Sequence, residues 1–284
     1  MIKTTFIALV LVAACGDNSS NGNGDGGNGD GGSNDDGGMC TGLCTDAPPF
    51  GGMCDPTSTI QCSNCNDDDG DGDIDGDDIH CSGPLDDDEG SFGTGIPGDN
   101  IDAVKQDCFF DGNSGAGNDG CDVHVCCILG AATVAECPIG ANRYKPMDCP
   151  PPIGTKPLSQ QCIDNCGDVT PPGCDCFGCC TICDPDNPST CFDIATNPST
   201  SPMCTPDVLD DPTKCLRCTK SAGCGPTECG GDTCILCPGQ DPSSLPAECN
   251  GTQTCPTGTT VCGANMECPA NTYCSNGCCI GVIL

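Results

Sequence analysis

The residues best suited to chemistry form a run of alternating aspartates between Cys65 and Cys81. With Asp67 taken as position 1 of a calcium-type loop, carboxylates fall at positions 1, 3, 5, 9 and 12. These are Asp67, Asp69, Asp71, Asp75 and Asp78. Gly72 at position 6 lets the chain turn sharply, and Asp73 at position 7 would offer its backbone carbonyl. A hard cation needs six to eight oxygens at about 2.4 Å, so the pattern predicts calcium as the cofactor.

The same loop, D-x-D-x-D-G-x-x-D-x-x-D bounded by Cys65 and Cys81, resembles a thrombospondin type 3 repeat. Its flanks are Cys and Ser rather than helices, and Asp78 stands where an EF-hand carries Glu, so an EF-hand pair is not expected. The resemblance implies a calcium-wrapped loop stapled by disulfides, with Cys65 and Cys81 as the flanking candidates. The alternative is a solvated acidic linker, which the neighbouring run 86–89 resembles.

The first fifteen residues carry an export signal. A short basic start precedes an apolar run over residues 4–12, too short for the roughly 20 residues that cross a bilayer. The run ends in Val12-Ala13-Ala14-Cys15, which resembles the lipobox of bacterial lipoproteins. That resemblance implies cleavage before Cys15 and its acylation by lipid. Gly16, where Asp would favour the inner membrane, implies an outer-membrane lipoprotein on the periplasmic or cell-surface face.

The composition is that of a disulfide scaffold. Leu, Ile, Val and Phe supply only 44 of the 284 residues, Trp is absent, and the formal charge is −33. Such a chain would be disordered, but its 35 cysteines supply covalent cross-links in place of a hydrophobic core. The odd count leaves an even number to pair if Cys15 carries lipid. We expect a small disulfide-rich, multi-module fold of irregular turns with short β-strands and one helix.

Four later cysteines raise the question of zinc. Cys215, Cys218, Cys234 and Cys237 follow zinc-ribbon spacing. Because the chain is predicted to cross into an oxidising compartment, disulfides are the preferred interpretation and zinc is unlikely.

The order of composition along the chain predicts its organisation. We expect a signal peptide (1–14), a lipid-anchor Cys with a flexible Gly/Asn/Asp/Ser tether (15–39), a Cys-rich module with the calcium loop (40–81), an acidic connector (82–107), a central Cys-rich region (108–218) and a C-terminal Cys-rich module (219–284). The spacing from Cys255 to Cys279 resembles small knotted modules of the Dickkopf or granulin type. A helix is predicted over residues 122–136, and strands near 259–262 and 280–284.

Charge and residue types also bear on function. Nucleic acid and anionic lipid surfaces are disfavoured partners, because both require a basic surface. The two histidines, His80 and His124, lie in no catalytic motif, so both are interpreted as structural and no enzyme is predicted. The sequence predicts a lipid-anchored, calcium-binding, disulfide-stapled envelope surface protein with an unknown protein or glycan partner. The alternative is a secreted hydrolase or a protein that sequesters metal on thiolates.

Overall fold

A computed structural model describes residues 54–96, 104–112, 119–139, 143–197, 201, 203–262 and 268–282. All of them belong to one compact unit, Gly37–Leu284. The predicted signal peptide, the lipid-anchor Cys15 and the tether over 15–39 lie outside the described residues. Across the described part of the chain, no helix is long and apolar enough to span a bilayer.

Disulfide bonds are the main framework, as predicted. Sixteen bridges pair all 32 cysteines from Cys54 to Cys279. The separations run from 6 residues in Cys174–Cys180 to 58 residues in Cys108–Cys166. Each closed loop removes entropy from the unfolded chain, a stabilisation of about 2–4 kcal/mol per bridge that is not additive.

The strands form three antiparallel pairs within the described residues. They are β1 (Lys105–Gln106) with β2 (Val123–His124), β3 (Cys179–Asp184) with β4 (Asn187–Ala195), and β5 (Thr272–Ser275) with β6 (Cys278–Gly281). The β5–β6 turn contains Asn276 and Gly277, both with positive φ, as tight hairpin turns require. The strand predicted over 280–284 overlaps β6, whereas residues 259–262 contribute only an isolated bridge from Val261 to Cys278.

Helical structure is short. The helices are α1 (Val125–Ile128) and α2 (Gln160–Cys166), and Ser159 caps α2 by accepting the backbone N–H of Cys162. Single 3-10 turns occur at Gln61–Ser63, Asp75–Asp77, Val134–Glu136, Pro146–Asp148, Gly167–Val169, Pro206–Val208, Gly231–Thr233, Pro242–Ser244 and Ala247–Cys249.

The helix predicted over residues 122–136 is wrong for most of its length. Its first residues pair as β2, and α1 covers only four residues. Gly130 then takes a φ of +73°, and a side chain there would meet the hydroxyl of Thr219 at 2.6 Å. The bridges Cys126–Cys137 and Cys127–Cys149 hold the segment in this shape, so tertiary cross-links override the apolar pattern.

The core is built mostly of half-cystines, with a few large apolar side chains between them. Phe109 and Phe110 pack edge to face at 5.0 Å between ring centroids. The cluster of buried residues extends from Phe92 to Cys224 and so crosses the predicted boundaries at 107 and 218. The described part of the segment predicted as an acidic connector, residues 82–96, includes the completely buried Glu89.

Candidate metal site

Aspartate carboxylates within the loop accept hydrogen bonds from its own backbone and so make the chain turn. Asp67 accepts the backbone N–H groups of Gly70 at 2.6 Å and Gly72 at 3.1 Å. Asp69 likewise accepts from the backbone of Asp71 at 3.0 Å. Gly72 has a φ of +109°, a conformation that glycine adopts without strain. The alternating Asp and Gly residues therefore turn the chain around a small volume.

Four side chains converge on that volume. One ligand atom from each of Asp69, Asp71, Asp78 and His80 lies within 4.8 Å of all the others. Asp69 and Asp71 are exposed at the mouth, whereas Asp78 and His80 are buried at the floor, 3% and 7% exposed. The structure thus brings together three of the predicted ligands and adds His80, which sequence reasoning had interpreted as structural.

Asp78 has an unsatisfied oxygen at the floor of the loop. Its Oδ1 accepts the backbone N–H of His80 at 2.6 Å and lies 3.0 Å from the ring Nδ1 of the same residue. Its Oδ2 has no hydrogen-bond partner among the described residues. A buried carboxylate oxygen without a donor costs free energy, and a bound cation would satisfy it.

The carboxylates of the loop raise one another's pKa values. Loss of hydration raises the pKa of Asp69 and of Asp73, and neighbouring carboxylates, including those of Asp71 and Asp78, raise both further. The pKa of the His80 imidazole is also raised: burial acts to lower it, but Asp78 and the other nearby carboxylates outweigh that effect. A positive ion in the loop would relieve the repulsion between these carboxylates.

Asp75, a predicted ligand, lies outside this group of four. Its carboxylate is fully buried and accepts the backbone N–H groups of Asn64 and Cys65, each at 2.9 Å. Burial raises the pKa of this carboxyl to about 7. Asp75 therefore braces the start of the loop instead of facing an ion. The predicted ligands Asp67 and Asp73 also lie outside the group of four, and Asp73 interacts electrostatically with Asp71, Asp78 and Asp69 of that group.

Glu89 fixes the backbone of the loop through hydrogen bonds. Its two carboxylate oxygens accept the backbone N–H groups of Asp75 at 2.8 Å and Asp68 at 2.6 Å. Nearby Asp86 is also fully buried, and it accepts from the backbones of Ser82 and Gly95. The run 86–89, which resembled a linker, is thus part of the scaffold. No spacing in the sequence pointed to this role, because it depends on a fold between two acidic segments.

Two disulfides close the base of the loop. Cys65 bonds to Cys54 and Cys81 bonds to Cys62, so the two predicted flanking cysteines are both bridged but not to each other. The Cys62–Cys81 bridge encloses the whole aspartate run. The ends of the loop are consequently held together without an ion.

The C-terminal hairpin supports the floor of the loop. The hydroxyl of Tyr273 donates to the carbonyl of Cys62 at 2.9 Å. The backbone of Gly76 lies so close to β5 that an added Cβ would meet the carbonyl oxygen of Cys274 at 2.3 Å. Residues as far as 211 positions apart in the chain therefore pack as one structure around the candidate site.

The cysteines with zinc-ribbon spacing do not converge. Each is bonded to a cysteine outside the set, in the bridges Cys204–Cys215, Cys179–Cys218, Cys234–Cys249 and Cys229–Cys237. A sulfur in a disulfide is not a thiolate and cannot serve as a zinc ligand.

An open groove of about 770 Å³ runs between α2 and the β5–β6 hairpin. Its polar lining includes Asp164, Asp168, Thr257, Thr259 and Thr272, and neither histidine of the chain takes part. Hydroxyl groups, two carboxylates and exposed backbone suit a polar partner that can form hydrogen bonds.

No protein-family model, curated protein sequence or solved structure matches this chain.

Proposed function

We propose that the chain is a lipid-anchored, calcium-binding surface protein of a bacterial cell envelope, with a structural or binding role. The proposal of calcium binding rests on one observation. Oδ2 of Asp78 has no hydrogen-bond partner among the described residues, and it is buried beneath the exposed carboxylates of Asp69 and Asp71. A divalent ion is the simplest group that would satisfy that oxygen and also neutralise the carboxylates above it.

Calcium suits the mouth of the loop, where the donors are carboxylate oxygens on a turning backbone. Calcium tolerates irregular geometry and a coordination number of six to eight completed by water. The bridges that close the base limit how far the loop can open when empty. We expect a dissociation constant of about 10⁻⁴–10⁻³ M, the range of extracellular calcium modules.

The anchor part of the proposal rests on the lipobox and on cysteine parity. All 32 cysteines from Cys54 onward are bridged, so of the full 35 only Cys15, Cys40 and Cys44 are left. Acylation of Cys15 would leave an even number of cysteines available for disulfide bonds. The tether of Gly, Asn, Asp and Ser that follows could hold the cross-linked unit away from the lipid headgroups.

The binding role is proposed for the polar groove between α2 and the C-terminal hairpin. Its threonines and backbone groups would hydrogen-bond to a protein or glycan. The same hairpin also contacts the aspartate loop through Tyr273, so calcium would stiffen one wall of the groove.

Calcium binding is tested by calorimetry and by terbium luminescence on the folded, oxidised protein. The double variant Asp69→Asn/Asp71→Asn should weaken binding by at least about tenfold, because two charged ligands are lost. Asp186→Asn is the matched control, because that carboxylate is exposed in the β3–β4 turn. No saturable response of the parent protein up to about 10 mM calcium, well above the expected range, would rule the site out.

Anchoring is tested by expressing the full chain in a Gram-negative host. The parent protein should enter the detergent phase of a Triton X-114 extract and incorporate labelled palmitate. Cys15→Ser should move it to the aqueous phase with its disulfides intact. Equal partitioning of the two proteins would contradict lipid attachment.

A further inference from the structure

We propose that the floor of the aspartate loop is a site for a first-row transition metal ion, best fitted by Zn²⁺, with the imidazole of His80 as the selecting ligand. Asp69, Asp71 and Asp78 would complete the ligand set. This inference deepens the proposed function, because the three carboxylates are shared and the two ions would compete for them.

The set of donor atoms favours zinc over calcium. Imidazole nitrogen is a preferred ligand of zinc and its neighbours in the first transition row, whereas calcium takes oxygen ligands. A ring nitrogen placed among three carboxylates is not a ligand that calcium prefers. It supplies the fourth donor that a tetrahedral zinc site requires.

The distances between the ligand atoms also suit a tetrahedral zinc ion. Zinc–nitrogen and zinc–oxygen bonds of about 2.0–2.1 Å place tetrahedral ligands about 3.3 Å apart. The Nδ1 of His80 lies 3.0 Å from Oδ1 of Asp78 and 3.9 Å from Oδ2 of Asp69, two distances that bracket this value. All four ligand atoms fall within 4.8 Å, so only a modest contraction is needed. Asp69 and Asp71 are exposed and can close over an ion by side-chain rotation.

The burial of His80 and Asp78 at the floor of the loop supports a metal site independently of the distances. His80 is 93% buried; its Nε2 has no hydrogen-bond partner among the described residues, and its Nδ1 lies 3.0 Å from Oδ1 of Asp78. Asp78 Oδ2 is orphaned in the same place. The two side chains thus bury polar atoms, among them Asp78 Oδ2 and His80 Nε2, that have no hydrogen-bond partner among the described residues. A metal ion held between them satisfies the nitrogen and the carboxylate together.

The surroundings of the ring also set an expectation for affinity. A zinc-bound imidazole is usually oriented by a hydrogen bond from its second nitrogen, and loss of such a partner weakens binding by about 10–100-fold. Here the ring is held by packing on Phe92, at 4.8 Å between centroids. We therefore expect a site of moderate affinity that exchanges its metal.

The test uses ¹⁵N-labelled, oxidised full-length protein and reads the imidazole nitrogens directly by long-range ¹H–¹⁵N spectroscopy. One equivalent of Zn²⁺ should move the Nδ1 resonance of His80 into the range of a metal-bound nitrogen. His124 is an internal control, because its Nδ1 already accepts the backbone N–H of Cys126 at 3.1 Å. Calcium at millimolar concentration should leave the His80 nitrogen uncoordinated.

A variant gives a second readout by calorimetry. His80→Gln should weaken zinc binding by at least about tenfold, a larger loss than the one it causes in calcium affinity. An unshifted His80 nitrogen under saturating Zn²⁺ would overturn the inference, even if zinc binds elsewhere. Calcium binding without zinc binding would also overturn it and would leave the proposed function standing. Zinc bound through His80 without any calcium response would support the inference and would refute the calcium proposal.

Discussion

The hydroxyl of Tyr273 donates a hydrogen bond to the carbonyl oxygen of Cys62 at 2.9 Å, across 211 residues of chain. The tyrosine is 1% exposed, and Cys62 carries the bridge to Cys81 that closes the aspartate loop. This contact makes the C-terminal hairpin a support for the candidate metal site.

Removal of that hydroxyl should therefore affect both stability and ion binding. Tyr273→Phe leaves the Cys62 carbonyl without its buried donor, and we expect a loss of about 1–3 kcal/mol in the free energy of unfolding. Calcium affinity should fall as well, because the floor of the loop loses a fixed point. Guanidinium unfolding with intact disulfides, together with calorimetry, measures the two effects.

Tyr144→Phe is the matched control for this prediction. The Tyr144 hydroxyl is also buried and donates to the carbonyl of Ala131, while its ring packs on His124. It should lose similar stability with unchanged calcium affinity. Equal effects of both variants on calcium affinity would show that Tyr273 does not act on the loop.

Glu89 should matter for ion binding although it faces no ion. In Glu89→Gln, an amide N–H₂ group replaces one of the two oxygens that accept from Asp68 and Asp75. Two donors would then face each other in a buried place, at a cost of about 1–3 kcal/mol. Calorimetry should show weaker calcium binding, since the loop backbone is less well fixed.

Glu248→Gln serves as its control, because Glu248 is exposed on the surface. That variant should bind calcium as the parent does. If Glu89→Gln also binds with parental affinity while its stability falls, the backbone hydrogen bonds stabilise the fold without positioning the ligands.

The bridge between Cys62 and Cys81 should hold the loop closed before any ion arrives. Its separation of 19 residues corresponds to about 3 kcal/mol of loop-closure entropy. Cys62→Ser/Cys81→Ser should lower stability by about that amount and should weaken calcium binding further. Peptide mapping by mass spectrometry under non-reducing conditions should recover Cys54–Cys65 and Cys62–Cys81 from the parent protein. A Cys65–Cys81 peptide in their place would contradict the structure.

Asp175 should make folding stability depend on pH. Burial raises the pKa of its carboxyl to about 6, against the hydrogen bonds it accepts from Ser221, Cys179 and Phe177. The folded-state pKa exceeds the unfolded value of about 3.9, so this carboxyl favours folding most below about pH 4. The contribution is lost as the pH rises through about 6.

The measurement compares the parent with Asp175→Asn, whose amide does not titrate. The parent's free energy of unfolding, relative to the variant, should fall by about 2 kcal/mol between pH 4 and pH 7. Asp186→Asn, which removes an exposed carboxylate, should follow the parent across the same range. A relative stability that rises with pH would give the opposite sign and would refute the prediction.

Much of this protein could be predicted from residue types and local spacing. The shortage of apolar residues together with 35 cysteines predicted a disulfide scaffold with little helix, and the structure confirms it. The alternating aspartates predicted a turning loop, and the hydrogen bonds from Gly70 and Gly72 to Asp67 have that form. These are properties of neighbouring residues, so they can be read along the chain.

Only the tertiary structure decided which side chains meet. Asp75 occupies a ligand position by spacing, yet its φ of +49° and two backbone donors turn its carboxylate away from the ion volume. His80 and Glu89 gained their roles because the following segment, which contains Glu89 and Phe92, folds back onto the loop. Cysteine pairing likewise depends on Cα atoms approaching within about 4–7 Å, a distance set by the whole fold. Spacing specifies which residues are available, whereas packing and buried hydrogen bonds specify the direction in which each one points.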